Sequence, residues 1–209
     1  MKRRWLLAAL LLAVCLLTLS SDAAPIAVVS VHKNPDGVTL KLMSGTMRLR
    51  IFSPGMVEVI YAPGDLPRIK SFSVIAQPER THWKLAETRD EIALGTDELT
   101  VRLNRASGAV AFYDRSGQLL LAEKSGGGKS LTPVHIGGVD TWRSEQVFEL
   151  PPDEAVYGLG QHPGAPMNYR GAKVHLQQEN RDVAVPMLLS SRIAHFPQAG
   201  SPLLRCAKS

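Results

Sequence analysis

Cysteine is nearly missing. The only two in 209 residues are Cys15 and Cys206, one in an N-terminal apolar run and one in the tail. An internal disulfide framework and a cysteine-based zinc site are thereby excluded for the body of the chain. A domain of about 185 residues needs no such staples, because it buries enough surface to hold its own core. Charge of one sign is scarce as well. Residues 1–23 hold three basic residues and one acidic one, so without them the formal net charge of +5 falls to +3. No Lys/Arg run or basic helix accompanies it, which argues against nucleic acid as a partner. Helical periodicity is also lacking. Beyond the N-terminal run, no window of ten or more residues repeats its apolar positions at 3.6.

What is present first is a leader. Lys2, Arg3 and Arg4 precede the apolar run Trp5–Leu19, which is shorter than a membrane span. Small residues follow, with Ser21-x-Ala23 the best cleavage match. Residues 1–23 are therefore expected to be a signal peptide. The mature chain should start near Ala24, be exported to the periplasm or outside the cell, and stay out of the membrane. An uncleaved anchor is the alternative.

Short period-2 runs come next. Val28–His32 and Val38–Met43 flank the turn Asn34-Pro35-Asp36-Gly37. Thr46–Phe52 alternates up to Pro54-Gly55, and Met56–Tyr61 up to Pro63-Gly64. Phe72–Ile75, Trp83–Glu87, Ile92–Leu94, Glu98–Leu103, Ala109–Tyr113 and Gln118–Ala122 continue the series. Such runs, spaced by turn residues, predict an all-β antiparallel sandwich. Ser125–Ser130 reads as a flexible turn. Its Gly-Lys-Ser ending is no phosphate loop, because Glu123 stands where the first glycine would be needed.

Catalytic signatures are hard to find. No nucleophile elbow or Ser/His/Asp order occurs. Glu145, Glu149, Asp153 and Glu154 read as a solvated polar linker rather than a catalytic pair. His162 reads as a polar loop residue, since no Cys, second His or carboxylate stands at ligand spacing. No metal and no cofactor is expected. Trp83 and Trp142 suit sugar stacking but also ordinary packing, and packing is the expected role.

The most informative segment runs from Tyr157 to Ser191. It reads Tyr-Gly-Leu-Gly-Gln-His-Pro-Gly, Met-Asn-Tyr-Arg-Gly, Val-His-Leu-Gln-Gln-Glu-Asn-Arg-Asp and Val-Pro-Met-Leu-Leu-Ser-Ser in that order. This order resembles the end of the N-terminal, galactose-mutarotase-like sandwich of family 31 glycoside hydrolases, the retaining α-glucosidases and α-xylosidases. The likeness extends diffusely over residues 38–156. It implies a sandwich over residues 24–191, incomplete at its C-terminal edge and cut off before a catalytic barrel. It also implies that both catalytic carboxyls belong to that barrel, so no catalytic residue is expected here and an oligosaccharide would bind only with the barrel's help.

In that family a loop of the sandwich supplies a polar residue to the first sugar subsite. The resemblance places Asp182 there, with Asn180 second. An Asx turn ahead of strand Val183–Leu189 is the competing reading. Gln178-x-Asn180 and Val185-Pro186-x-Leu188-x-Ser190-Ser191 look like the xylosidase branch. After Ser191 the alternation stops, and residues 192–209 are expected to be a divergent tail from a shifted reading frame, with a short variant as the alternative. Two rival functions stay open. One is a stand-alone secreted sugar-binding module. The other is a mutarotase-like epimerase, which would need one of His135, His162, His175 or His195 facing a carboxylate on a concave surface.

Overall fold

The computed structural model describes residues 26–67 and 77–192. The expected strand Phe72–Ile75, the leader and all but the first residue of the tail lie outside that range. Four strands come first: β1 (Val28–Asn34), β2 (Gly37–Leu42), β3 (Gly45–Ser53) and β4 (Met56–Ala62). They pair antiparallel in chain order. Five more, β5 (Lys84–Glu87), β6 (Glu91–Gly95), β7 (Leu99–Asn104), β8 (Val110–Asp114) and β9 (Leu119–Ala122), form a second antiparallel meander.

The alternation seen in the sequence decides which face is buried. In β2 and β3, Val38 lies opposite Leu49 and Leu40 opposite Met47, so all four project from one face. In the second sheet, Leu94 faces Val101 and Ile92 faces Leu103. These side chains, with Leu42, Ile51, Val110 and Phe112, form one core shared by both sheets. Trp83 packs on its margin, and its indole N–H donates to the Pro35 carbonyl at 3.1 Å. That is the packing role expected of it.

The sequence missed two strands. Residues 129–146 form a hairpin of β10 (Lys129–Ile136) and β11 (Val139–Gln146) around Gly137-Gly138. Neither strand carries a buried apolar stripe, and every residue of β11 is exposed, so no period-2 signal exists to read. The Ser125–Ser130 stretch is only partly a turn. Lys129 begins β10 and is buried with Glu123.

The final pair, β12 (Val156–Gln161) and β13 (Val183–Ser190), is antiparallel and joined by residues 162–182. It forms its own two-stranded sheet. Val183, Val185, Leu188 and Leu189 are all exposed on it.

Candidate functional site

The β12–β13 pair has an unusual backbone. Gly158, Leu159 and Gly160 have φ of 103°, 63° and 97° in succession. Pairing steps from Gly158 with Leu188 to Gly160 with Ala184. One residue on β12 therefore spans three on β13, which bulges at Val185-Pro186-Met187. Pro186 fits there because a bulge asks for no ladder N–H. A Cβ on Gly160 would meet the Val183 carbonyl oxygen at 1.8 Å. The glycines thus mark a close strand crossing. The left-handed leucine between them was not foreseen.

The connecting loop is anchored by its own motif residues. The Asn168 side-chain oxygen accepts the Val156 and Arg170 amides, each at 3.0 Å. The Tyr169 amide donates to the Val156 carbonyl at 2.8 Å. The Arg170 guanidinium spans the carbonyls of Leu150, Pro151 and Glu154. Met167–Gly171 therefore holds the loop against the approach to β12. Gln178 has a similar task, its oxygen accepting the Ala184 amide at 3.1 Å.

At the far end of the loop, Glu179 and Asp182 exchange two backbone hydrogen bonds of 3.3 Å. They close a turn whose third residue, Arg181, has φ of 90°. Asn180 is exposed on this turn. The Asp182 side chain is 34% exposed, and its Oδ1 lies 3.6 Å from Nδ1 of His162. The turn is built by the backbone, not by the aspartate side chain, so no Asx bond explains Asp182.

The structure pairs the histidines in a way that the sequence did not show. His162 opens the connecting loop but is largely out of solvent there. Its side chain is 11% exposed and sits between β12 and Asp182. His135 meets Asp140 at 2.8 Å on the exposed β10–β11 hairpin, a contact between strands opposite in register. His195 lies outside the described residues. Among the described residues, no cluster of three or more His, Cys, Asp or Glu could hold a metal.

One further expectation needs correction. Glu154 does not belong to a solvated face. It is buried, where its carboxylate accepts the Ser190 hydroxyl and faces Arg192. Glu145 lies on β11 rather than in a linker. Trp142 lies outside the core, partly covered. It is 43% exposed on β11 and lines a cleft of about 450 Å³ with Lys41, Ser44, Tyr61 and Thr132. That cleft lies beside the first sheet, and neither Asp182 nor Asn180 lines it.

Comparison with known proteins completes the description. Residues 46–191 match the glycosyl hydrolase 31 N-terminal galactose mutarotase-like domain. The chain is 27% identical over 157 residues to an α-xylosidase of Saccharolobus solfataricus, covering 70% of this chain and 21% of that enzyme. It is 28% identical over 146 residues to α-glucosidase 2 of Bacillus thermoamyloliquefaciens, covering 68% and 17%. Its fold superposes on the crystal structure of a family 31 α-xylosidase from Xanthomonas citri with a TM-score of 0.72 and 36% identity, over 78% of this chain and 18% of that one. The chain thus spans about a fifth of the length of the curated relatives it matches.

Proposed function

Because the chain belongs to the family of glycosyl hydrolase 31 N-terminal galactose mutarotase-like domains, we propose that it forms the sugar-facing sandwich of an exo-acting retaining α-glycosidase. In this reading the substrate is an oligosaccharide ending in α-linked xylose or glucose. Asp182, with Asn180 second, is what the sandwich contributes to binding it. One observation carries this: the half-exposed Asp182 carboxylate stands at the end of β12–β13, on a turn that its side chain does not build. A carboxylate accepts paired hydrogen bonds from neighbouring hydroxyls. The xylose side is supported by the 36% identity to the Xanthomonas citri α-xylosidase. Export is part of the proposal and rests on the basic residues and short apolar run at the N-terminus.

Bond cleavage falls to a partner barrel in this reading. Retaining hydrolysis needs two carboxyls about 5 Å apart, one as nucleophile and one as acid/base. The purified chain should accordingly release no sugar from aryl α-xylosides or aryl α-glucosides. Turnover that survives repurification would overturn this division of labour. Asp182→Ala should leave the stability of the isolated chain within about 0.5 kcal/mol, as at other exposed positions. If thermal denaturation shows that the variant unfolds, Asp182 is a turn anchor instead.

A second reading, the stand-alone sugar-binding module, draws on Trp142. Its exposed ring beside Tyr61 and Ser44 could take a sugar face. Quenching of tryptophan fluorescence by xylose in the isolated chain, lost in Trp142→Ala, would favour it.

A further inference from the structure

We infer that His162 is the positioning residue for Asp182, and that the left-handed backbone at Leu159 holds His162 in place to do this. Its bearing on function rests on the reading of Asp182 as a sugar contact. Leu159 carries backbone strain at the register step of β12. Glycines adopt positive φ freely, but a leucine there is strained by about 1–2 kcal/mol. Leu159 sits at φ 63° and has no partner in the β12–β13 register. What its conformation achieves is a contact. The Leu159 carbonyl lies 2.9 Å from Nε2 of His162, three residues on.

That contact fixes the ring's protonation pattern. A carbonyl oxygen can only accept, so Nε2 carries the hydrogen. In the neutral ring, Nδ1 is then a bare acceptor. It faces Asp182 Oδ1, another acceptor, at 3.6 Å, too far for a hydrogen bond. Protonating the ring makes Nδ1 a donor and converts the contact into a charge-assisted pair. The ring is largely out of solvent, so screening of that pair is weak. Asp182 is well placed to respond. Its backbone is held by Glu179, and the neighbouring Ala184 amide is held by Gln178, which leaves mainly the side-chain torsions to move.

Among the described residues, Asp182 is the acidic group that comes within ion-pair reach of the His162 ring. The basic groups on the connecting loop are Arg170, Lys173, His175 and Arg181. Arg170 is turned onto the carbonyls of the β12 approach. The consequence is a carboxylate held toward β12 when His162 is charged and released when it is neutral. One histidine would thus set the orientation of the Asp182 carboxylate on a turn whose backbone is already held.

Nuclear magnetic resonance on the labelled full chain tests this. Long-range proton–nitrogen spectra report which His162 nitrogen is protonated, and the Asp182 carboxyl carbon is followed against pH. The expected result is a neutral ring protonated on Nε2. The Asp182 carbon should also show a second inflection at the pH where His162 titrates. That inflection should disappear in His162→Gln. It should survive in Leu159→Gly, which keeps the carbonyl and relieves the strain. A neutral ring protonated on Nδ1 would overturn the inference, as would an Asp182 signal that passes through the His162 titration unchanged. Both readouts are made without sugar. A failure of the sugar contact itself would show in catalytic efficiency instead, with the coupling intact.

Discussion

Lys129→Met is expected to destabilise the chain by about 3–5 kcal/mol, because it leaves a buried carboxylate unpaired. Lys129 and Glu123 form an ion pair whose two side chains are each 4% exposed. The ammonium also donates to the Gly108 carbonyl at 2.9 Å, and Glu123 accepts the Val110 amide at 3.0 Å. The pair therefore joins β8, the end of β9 and the start of β10. Burial holds the Lys129 pKa below the usual lysine range, with the charge of Glu123 opposing that shift. For a chain of this size, the loss corresponds to a fall in melting temperature of roughly 6–20 °C. The double variant Lys129→Met with Glu123→Gln should recover much of it. It leaves no buried charge and keeps an oxygen for the Val110 amide. A double variant as unstable as the sum of the two single ones would contradict the pairing.

The sign with pH follows from the same group. A lysine with a depressed folded pKa loses its proton earlier in the folded than in the unfolded state. The unfolded state then binds more protons between the folded value and the ordinary 10.5. The contribution of Lys129 to stability therefore rises with pH across that window. Denaturation curves should show this upward term in the parent chain and not in Lys129→Met.

Gly37→Ala should be almost as damaging, at roughly 2–4 kcal/mol. Gly37 closes the β1–β2 turn at φ 142°, where a side chain is strained by about 1–3 kcal/mol. A Cβ would also meet the Leu49 carbonyl oxygen at 2.1 Å. Relief of that clash must move β2 from β3 where Gly37 faces Arg50. It also threatens the 2.7 Å bond from the Ile51 amide to the Asp36 carbonyl, worth about 1 kcal/mol net. The effect should be global, because Val38 and Leu49 next to the turn are core residues. A melting temperature within about 2 °C of the parent would show that the turn is not needed as built.

The contrast between these strands and the C-terminal ones explains what the sequence could and could not say. β2, β3, β6 and β7 each bury every second side chain, so the alternation that placed them was the physical cause of their packing. β10 and β11 have no such stripe. Their one local sign was Gly137-Gly138, a two-residue hairpin turn between runs that look polar. The order of motifs from Tyr157 to Ser191 picked out the segment that forms β12, its loop and β13, and Asp182 lies on a built turn there. It did not reveal that Asn168, Arg170 and Gln178 anchor the loop. Nor did it reveal that His162 faces Asp182, because the two are twenty residues apart and meet only through the pairing of Gln161 with Val183. Glu154 was misread for the opposite reason. It reads with Glu145, Glu149 and Asp153 as a solvated stretch, while its partners Ser190 and Arg192 lie more than thirty-five residues further along the chain.

The central claim is that this sandwich contributes Asp182 to a sugar site completed by a barrel. The most direct measurement replaces the matching sandwich segment of the Xanthomonas citri α-xylosidase with this chain and compares kcat/KM of the chimera with and without Asp182→Ala. Losing one charged hydrogen-bond partner is worth about 1.5–3 kcal/mol, so catalytic efficiency on an α-xyloside should fall roughly ten- to a hundred-fold, with the chimera's melting temperature unchanged. An active chimera that keeps its full kcat/KM after Asp182→Ala would contradict the claim.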